Sequence, residues 1–295
     1  MIANGFQLGL IGYPLEHSLS PRLHQAALQS TGLTGEYRLF PITPRPESAA
    51  KLRELADKLR QQEVHGLNVT IPYKEEITTF LDDMTLNARA IGATNTILCI
   101  NGRAVGENTD APGFWVDLNR LFPHIAERPS SALILGAGGA ARAVAYALLQ
   151  AGWEIAIATR RIEQARELIQ GLSSALETKL LTAIPLSAPA IGEWLTSSGK
   201  SSPGNTLIVN ATPVGMSPYP NASPWLGDLR MPEGAIVYDL VYNPAETLLV
   251  RQARLKGLEA ANGLGMLVEQ AALSFELWTG MRPDRLALYQ AVSNI

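Results

Sequence analysis

The sequence predicts an α/β protein with mainly parallel sheets, divided into two domains. Three observations carry this reading. Apolar runs of strand length alternate with helical stripes through most of the chain. One of these runs, residues 131–135, enters the glycine-rich turn Gly136-Ala-Gly-Gly-Ala-Ala141 and is followed by a further helix and strand. The chain has 295 residues, enough for two domains, and is 46% hydrophobic and 17% charged, as an ordinary globular protein is.

The first third alternates clearly. Residues 7–12 read as a buried strand. Ser20-Pro21 is a helix start, with Ser20 as N-cap and proline in the first turn, leading into residues 22–29. Residues 37–40 form a short strand, and residues 47–62 carry a helical stripe at Leu52, Leu55 and Leu59. A strand over 66–71 stops at Pro72, and Asn101-Gly102 joins strands at 93–100 and 103–107 as a hairpin. Asp110-Ala-Pro-Gly113 opens a helix over 114–121. The polar stretch 123–131 then suggests a connection between domains.

Alternation resumes in the second part. Helical periodicity over 142–151 ends at Gly152, suited to the C′ position, and 153–158 reads as the next strand. Strands at 207–210 and 235–239 precede a helix over 244–256. Beyond Asn262-Gly263 lie helices at 266–278 and 283–292. The Ser/Ala-rich segment 172–202 carries no clear pattern, and no internal repeat is visible.

The turn at 136–141 follows G-x-G-x-x-A after a strand and before a helix, the arrangement of a Rossmann-like dinucleotide-binding unit. Gly136 permits the tight turn, Gly138 admits a pyrophosphate close to the backbone, and Ala141 lets helix and strand pack closely. Ala137, Gly139 and Ala140 complete the loop, whose helix N-terminus offers free N–H groups to phosphates. After the second strand an NAD site usually places an acid for the ribose hydroxyls. Here the chain reads Ala158-Thr159-Arg160-Arg161, with no acid before Glu163. Guanidinium groups and a threonine hydroxyl suit a 2′-phosphate, so NADP is the expected cofactor. The competing reading is a solvated arginine pair at a helix start, where the helix dipole disfavours it.

Net charge is −3, which gives no basic field for nucleic acid or an acidic membrane. The single Cys99 has no disulfide partner within the chain and fits a reducing, cytoplasmic compartment. No leader pattern and no membrane-length apolar run is present, and the four histidines and one cysteine show no zinc spacing, so no metal is expected.

Two further segments stand out. Glu16-His-Ser-Leu-Ser-Pro21 brings the hydroxyls of Ser18 and Ser20 to a helix entrance, where a carboxylate ligand could sit, although Ser20 also suits simple capping. Asn68-Val-Thr-Ile-Pro-Tyr-Lys74 gathers Asn68, Thr70 and Lys74 at a strand end. Read alone, Lys74 beside Glu75 and Glu76 is an ordinary surface lysine.

Together with Gly92-Ala-Thr-Asn-Thr96, Glu107-Asn-Thr-Asp110, Val241-Tyr-Asn-Pro244 and Gly263-Leu-Gly-Met-Leu-Val-Glu-Gln270, these motifs closely resemble the shikimate dehydrogenase family, in the same order over nearly the whole chain. The resemblance implies reversible, NADP-dependent oxidation of shikimate to 3-dehydroshikimate, run reductively toward chorismate and aromatic amino acids. It implies a substrate domain over 1–110, completed by helices at 264–295, and a Rossmann-like NADP domain over 111–263, with the active site in the cleft between them. By position, Lys74 and Asp110 match the catalytic pair, although Asp110 also suits a helix cap. Ser18, Ser20, Thr70, Asn95, Tyr242 and Gln270 match the substrate contacts. The residues from Gly136 to Ala140, Thr159, Arg160, Arg161, Leu240 and Gly263 match the NADP contacts. Thr159 replaces a frequent Asn, and Leu240 a frequent Met. The expected partner is a small-molecule substrate, with a homodimer left open. The alternatives are a quinate/shikimate dehydrogenase using either nicotinamide, and a non-catalytic NADP-binding regulator on the same fold.

Overall fold

A computed structural model describes residues 5–293, apart from 45, 47, 127–129, 198–205 and 228. In chain order the elements are β1 (Phe6–Gly12), α1 (Ser20–Thr31), β2 (Gly35–Pro41), α2 (Ser48–Arg60), β3 (Gly66–Val69), β4 (Asp83–Met84), α3 (Leu86–Ile91), β5 (Thr96–Ile100) and β6 (Arg103–Glu107). They continue with α4 (Asp110–Leu121), α5 (Pro123–Ala126), β7 (Ser131–Leu135), α6 (Gly139–Gln150), β8 (Glu154–Thr159), α7 (Ile162–Leu176), β9 (Leu181–Pro185) and α8 (Ala188–Thr196). The last are β10 (Thr206–Asn210), β11 (Ile236–Asp239), α9 (Leu248–Leu255), β12 (Ala260–Asn262), α10 (Leu264–Thr279) and α11 (Arg285–Val292). The chain divides into two compact units, Met1–Gly113 with Leu267–Ile295, and Phe114–Met266. The polar stretch 123–131 falls inside the second unit.

The first unit holds a sheet in the order β2-β1-β3-β5-β6-β4. Strand β1 pairs in parallel with both β2 and β3, and its Leu8, Leu10 and Ile11 are all buried, as in a strand covered on both faces. The sheet is mainly parallel, since β4 also pairs in parallel with β6, but it includes two antiparallel pairings. The Asn101-Gly102 hairpin makes β5 and β6 antiparallel, and β3 runs antiparallel to β5. The α2 stripe Leu52, Leu55 and Leu59 packs with Ile11, Leu67 and Ile97 into one core. At the other end of the chain α11 packs on α1. On α10 the Trp278 ring lies against the bare Cα of Gly66, and its Nε1 donates to the Ile97 carbonyl at 3.0 Å.

Ser20 is not the N-cap of α1. It is the first helical residue, after Leu19, and makes no capping bond, while the Ser18 hydroxyl accepts its N–H at 3.3 Å. The strand expected over 66–71 ends at Val69, so Thr70 already belongs to the turn that delivers Lys74.

The second unit has a sheet ordered β12-β11-β10-β7-β8-β9, with every pairing parallel. Its strands β7, β10 and β11 are buried throughout, and Leu133, Ile208, Val237 and Trp194 share one core. The helix expected from Pro244 begins at Leu248, because the Thr247 hydroxyl caps it by accepting the Val250 N–H at 3.3 Å. The unpatterned region contains the edge strand β9 and helix α8, capped by Ser187. Its residues 198–202 lie outside those described.

Candidate functional site

In the first unit Lys74 Nζ meets Asp110 Oδ2 at 2.5 Å, with the two side chains 17% and 6% exposed. Lys74 is therefore no ordinary surface lysine, and its backbone carbonyl is held by the Thr94 N–H at 2.7 Å. Asp110 opens α4 but does not cap it. The Asn108 side chain takes that role, accepting the Ala111 N–H at 3.2 Å. The carboxylate is thus free for Lys74 on one oxygen and for Asn95 Nδ2, at 2.8 Å, on the other.

The orientation of Asn95 is fixed by its neighbours. Its Oδ1 accepts the backbone N–H of Thr109 at 2.7 Å, which can only donate, so Nδ2 must face Asp110. The same Nδ2 reaches Gln270 Oε1 at 3.3 Å, and Gln270 Nε2 donates to the Leu267 carbonyl at 2.8 Å. Asn95, Asp110 and Gln270 are all buried. Lysine, carboxylate and two amides therefore form one connected array.

A second layer of buried polar groups supports this array. Asn68 Oδ1 accepts from Tyr37 Oη at 2.8 Å and from His24 Nε2 at 3.1 Å. Its Nδ2 then donates toward the Asn95 carbonyl, Thr96 Oγ1 and Ser274 Oγ. Ser274 also bonds Thr96 at 2.7 Å and Thr109 at 3.0 Å. Sequence reasoning missed Ser274 and Thr109. A signal existed for Ser274, since it stands one helical turn after Gln270 on α10. His24 is buried, and burial drives its imidazole down to about 3, against the smaller opposing effect of the Asn68 hydrogen bond.

Ser18 and Ser20 stand at the start of α1, and Thr70 packs its methyl against Gly12 at the end of β1. Thr70 also donates its backbone N–H to the Ile11 carbonyl at 2.8 Å, so these groups belong to adjacent strand ends of the first unit. Among the described residues no side-chain hydrogen bond joins Ser18, Ser20 or Thr70 to the Lys74 array.

The cofactor candidates lie in the second unit. Gly136 has φ of +108°, and a Cβ there would come within 3.0 Å of the Thr212 methyl. A Cβ on Gly138 would meet nothing within 4 Å, so the loop faces open space where a phosphate can approach. Gly138 is the N-cap of α6 with no side-chain cap, which leaves the first N–H groups of that helix available, and Ala141 is fully buried against the strand. At the end of β8, Thr159 is buried and Arg160 and Arg161 are exposed. Neither guanidinium forms an ion pair with a carboxylate among the described residues. Arg161 Nε donates to Gln164 Oε1 at 3.0 Å. The donor set fits a dinucleotide with an extra phosphate.

Leu240 and Tyr242 follow β11, and Gly263 precedes α10, with no room for a Cβ against the Leu240 carbonyl. Desolvation raises the Tyr242 phenol above its ordinary value. Among the described residues no group of His, Cys, Asp and Glu could hold a metal ion, and no helix is long and apolar enough to cross a membrane. Cys99 is a free thiol on β5.

Residues 10–97 match the family model of the shikimate dehydrogenase substrate binding domain, and residues 263–292 match that of the shikimate 5'-dehydrogenase C-terminal domain. A shikimate dehydrogenase (NADP(+)) of Carboxydothermus hydrogenoformans is 40% identical over 287 residues, 96% of this chain and 95% of that protein. The structure of Thermus thermophilus shikimate 5-dehydrogenase in complex with NADP(H) and shikimate superposes with a TM-score of 0.78. It is 38% identical, with 97% of this chain and 98% of that chain covered. A quinate dehydrogenase from Corynebacterium glutamicum in complex with NAD gives a TM-score of 0.84 at 30% identity, covering 98% and 99%.

Proposed function

The chain belongs to the shikimate dehydrogenase family, and from that premise we propose that Lys74 and Asp110 carry the proton in its NADP-dependent reaction. The reaction is the reversible oxidation of shikimate at a CH–OH group to 3-dehydroshikimate, run reductively toward chorismate and the aromatic amino acids. When bound, NADP supplies or accepts the hydride. The 136–140 loop, Thr159, Arg160, Arg161, Leu240 and Gly263 would hold it.

The remaining work falls to the chain's own side chains. Reduction of a ketone leaves oxygen needing a proton, and oxidation of the alcohol needs a base at that oxygen. Lys74 Nζ is the group placed to hold this proton, and Asp110 orients it through the 2.5 Å contact. Asn95 fixes the carboxylate from its other oxygen at 2.8 Å. With Gln270 it would also bind ring hydroxyls, as would Thr70. Ser18 and Ser20 would hold the substrate carboxylate, with Tyr242 as a further substrate contact. The Ser20 hydroxyl is free for that role because it caps nothing. The observation that carries the proposal is the buried Asn95–Asp110–Lys74 array.

The substrate domain is read as 1–110 with 264–295 and the NADP domain as 111–263. A cytoplasmic location fits the free Cys99. Light scattering on the purified chain distinguishes monomer from homodimer. The activity is tested by mixing purified chain with NADP or NAD and with shikimate or quinate. Nicotinamide reduction fastest with NADP and shikimate is expected. No reduction in any combination overturns the enzyme reading, and faster turnover of quinate with NAD moves it to the quinate branch.

A further inference from the structure

The neighbouring strands β7, β10 and β11 end at Leu135, Asn210 and Asp239. In an open parallel sheet, ligands bind outside these carboxyl ends. Asn210 and Asp239 are both fully buried. Asn210 Nδ2 donates to Asp239 Oδ1 at 2.7 Å and to the Val214 carbonyl at 3.2 Å. Its Oδ1 accepts the Thr212 N–H at 2.9 Å and the Thr212 hydroxyl at 2.7 Å. Asp239 Oδ1 also accepts the Val241 N–H at 3.0 Å, and Oδ2 accepts the Thr247 hydroxyl at 2.6 Å.

We propose that Asn210 and Asp239 are positioning residues for the cofactor, together fixing the 211–214 and 240–241 segments that border the NADP site. The inference rests on the NADP reading above. Both segments border residues assigned to that site. Thr212 packs against Gly136, and Leu240, whose N–H is held by the Asn210 carbonyl at 2.9 Å, lies against Gly263.

Joining two strands does not by itself call for such a pair. A buried carboxylate is costly when only neutral groups satisfy it, and an apolar pair could bridge the strands at less cost. Asp239 accepts from Asn210, Val241 and Thr247 and from no cation among the described residues. Desolvation accordingly raises its pKa, against the pull of those three donors. What the pair adds is convergence: one amide and one carboxylate tie down two loops and the cap of α9.

The test is NADPH binding to the full chain, followed by the fluorescence of the bound nicotinamide, with the KM for shikimate measured separately. Asn210→Ala is expected to raise the Kd for NADPH about tenfold while the shikimate KM at saturating NADP stays within about twofold. Asp239→Asn keeps an acceptor oxygen for Asn210 and Val241, and its Kd stays within about threefold of wild type. Should Asn210→Ala fail to fold, Thr212→Val decides: it removes the hydroxyl that donates to Asn210 Oδ1 and accepts the Val214 N–H at 3.2 Å, leaves Asn210 and Asp239 in place, and is expected to weaken NADPH binding about threefold. A folded Asn210→Ala or Thr212→Val that binds NADPH as wild type does, or an equal rise in shikimate KM, overturns the assignment. Failure of the wild-type chain to bind NADPH counts instead against the NADP reading.

Discussion

His24 lies in the first unit, stacked on Tyr37 with ring centroids 4.2 Å apart and donating to Asn68 Oδ1. Burial holds it neutral, with a native pKa of about 3 against 6.5 for a free imidazole. The unfolded chain therefore binds a proton that the folded chain refuses between those values. Stability from this group is complete above about pH 6.5 and is lost as pH falls toward 3. Urea unfolding at pH 6.5 and 4.5 should show wild type losing about 2 kcal/mol more than His24→Leu between the two values. Equal losses would mean that the imidazole takes up its proton without unfolding. Residues such as this one set the limit of sequence reading. Lys74 and Asp110 were singled out through the family resemblance of their motifs, and the structure brings the two side chains together, although the residues alone left Lys74 an ordinary surface lysine. Asn68 was noticed but given no role, and Ser274 was missed. Their work is to hydrogen-bond other side chains across long stretches of chain, and nothing local in the sequence records that.

Among the elements, those with strong periodicity or defined turns were readable, including β7, α6, α2 and the β5–β6 hairpin. The region around β9 and α8 was not. β9 is a half-exposed edge strand with a single buried residue, so it lacks both alternation and a continuous apolar run. The start of α1 was misread by one position because Ser-Pro fits both an N-cap and a first turn. α10 is fixed in the first unit by the approach of Trp278 to Gly66, where a methyl group would strike the indole ring. Gly66→Ala should therefore displace Trp278, weaken its bond to the Ile97 carbonyl and cost about 2 kcal/mol in denaturant unfolding. Unchanged stability would show that the ring can move aside freely.

For the molecule as a whole, the two units hold different chemistry. The first contains the Lys74 array and its supporting polar layer, and the second contains the glycine loop, the arginine pair and the Asn210–Asp239 tie. The sequence pointed to this division of labour because a dinucleotide loop announces a cofactor without defining a reaction. The reaction depends on whether the lysine held at 2.5 Å from Asp110 moves the proton. The most direct measurement is kcat for Lys74→Ala with shikimate and NADP both saturating, beside the KM for shikimate. A fall in kcat of about 10²-fold or more, with KM within a few fold, is expected. A kcat within a few fold of wild type would contradict the account.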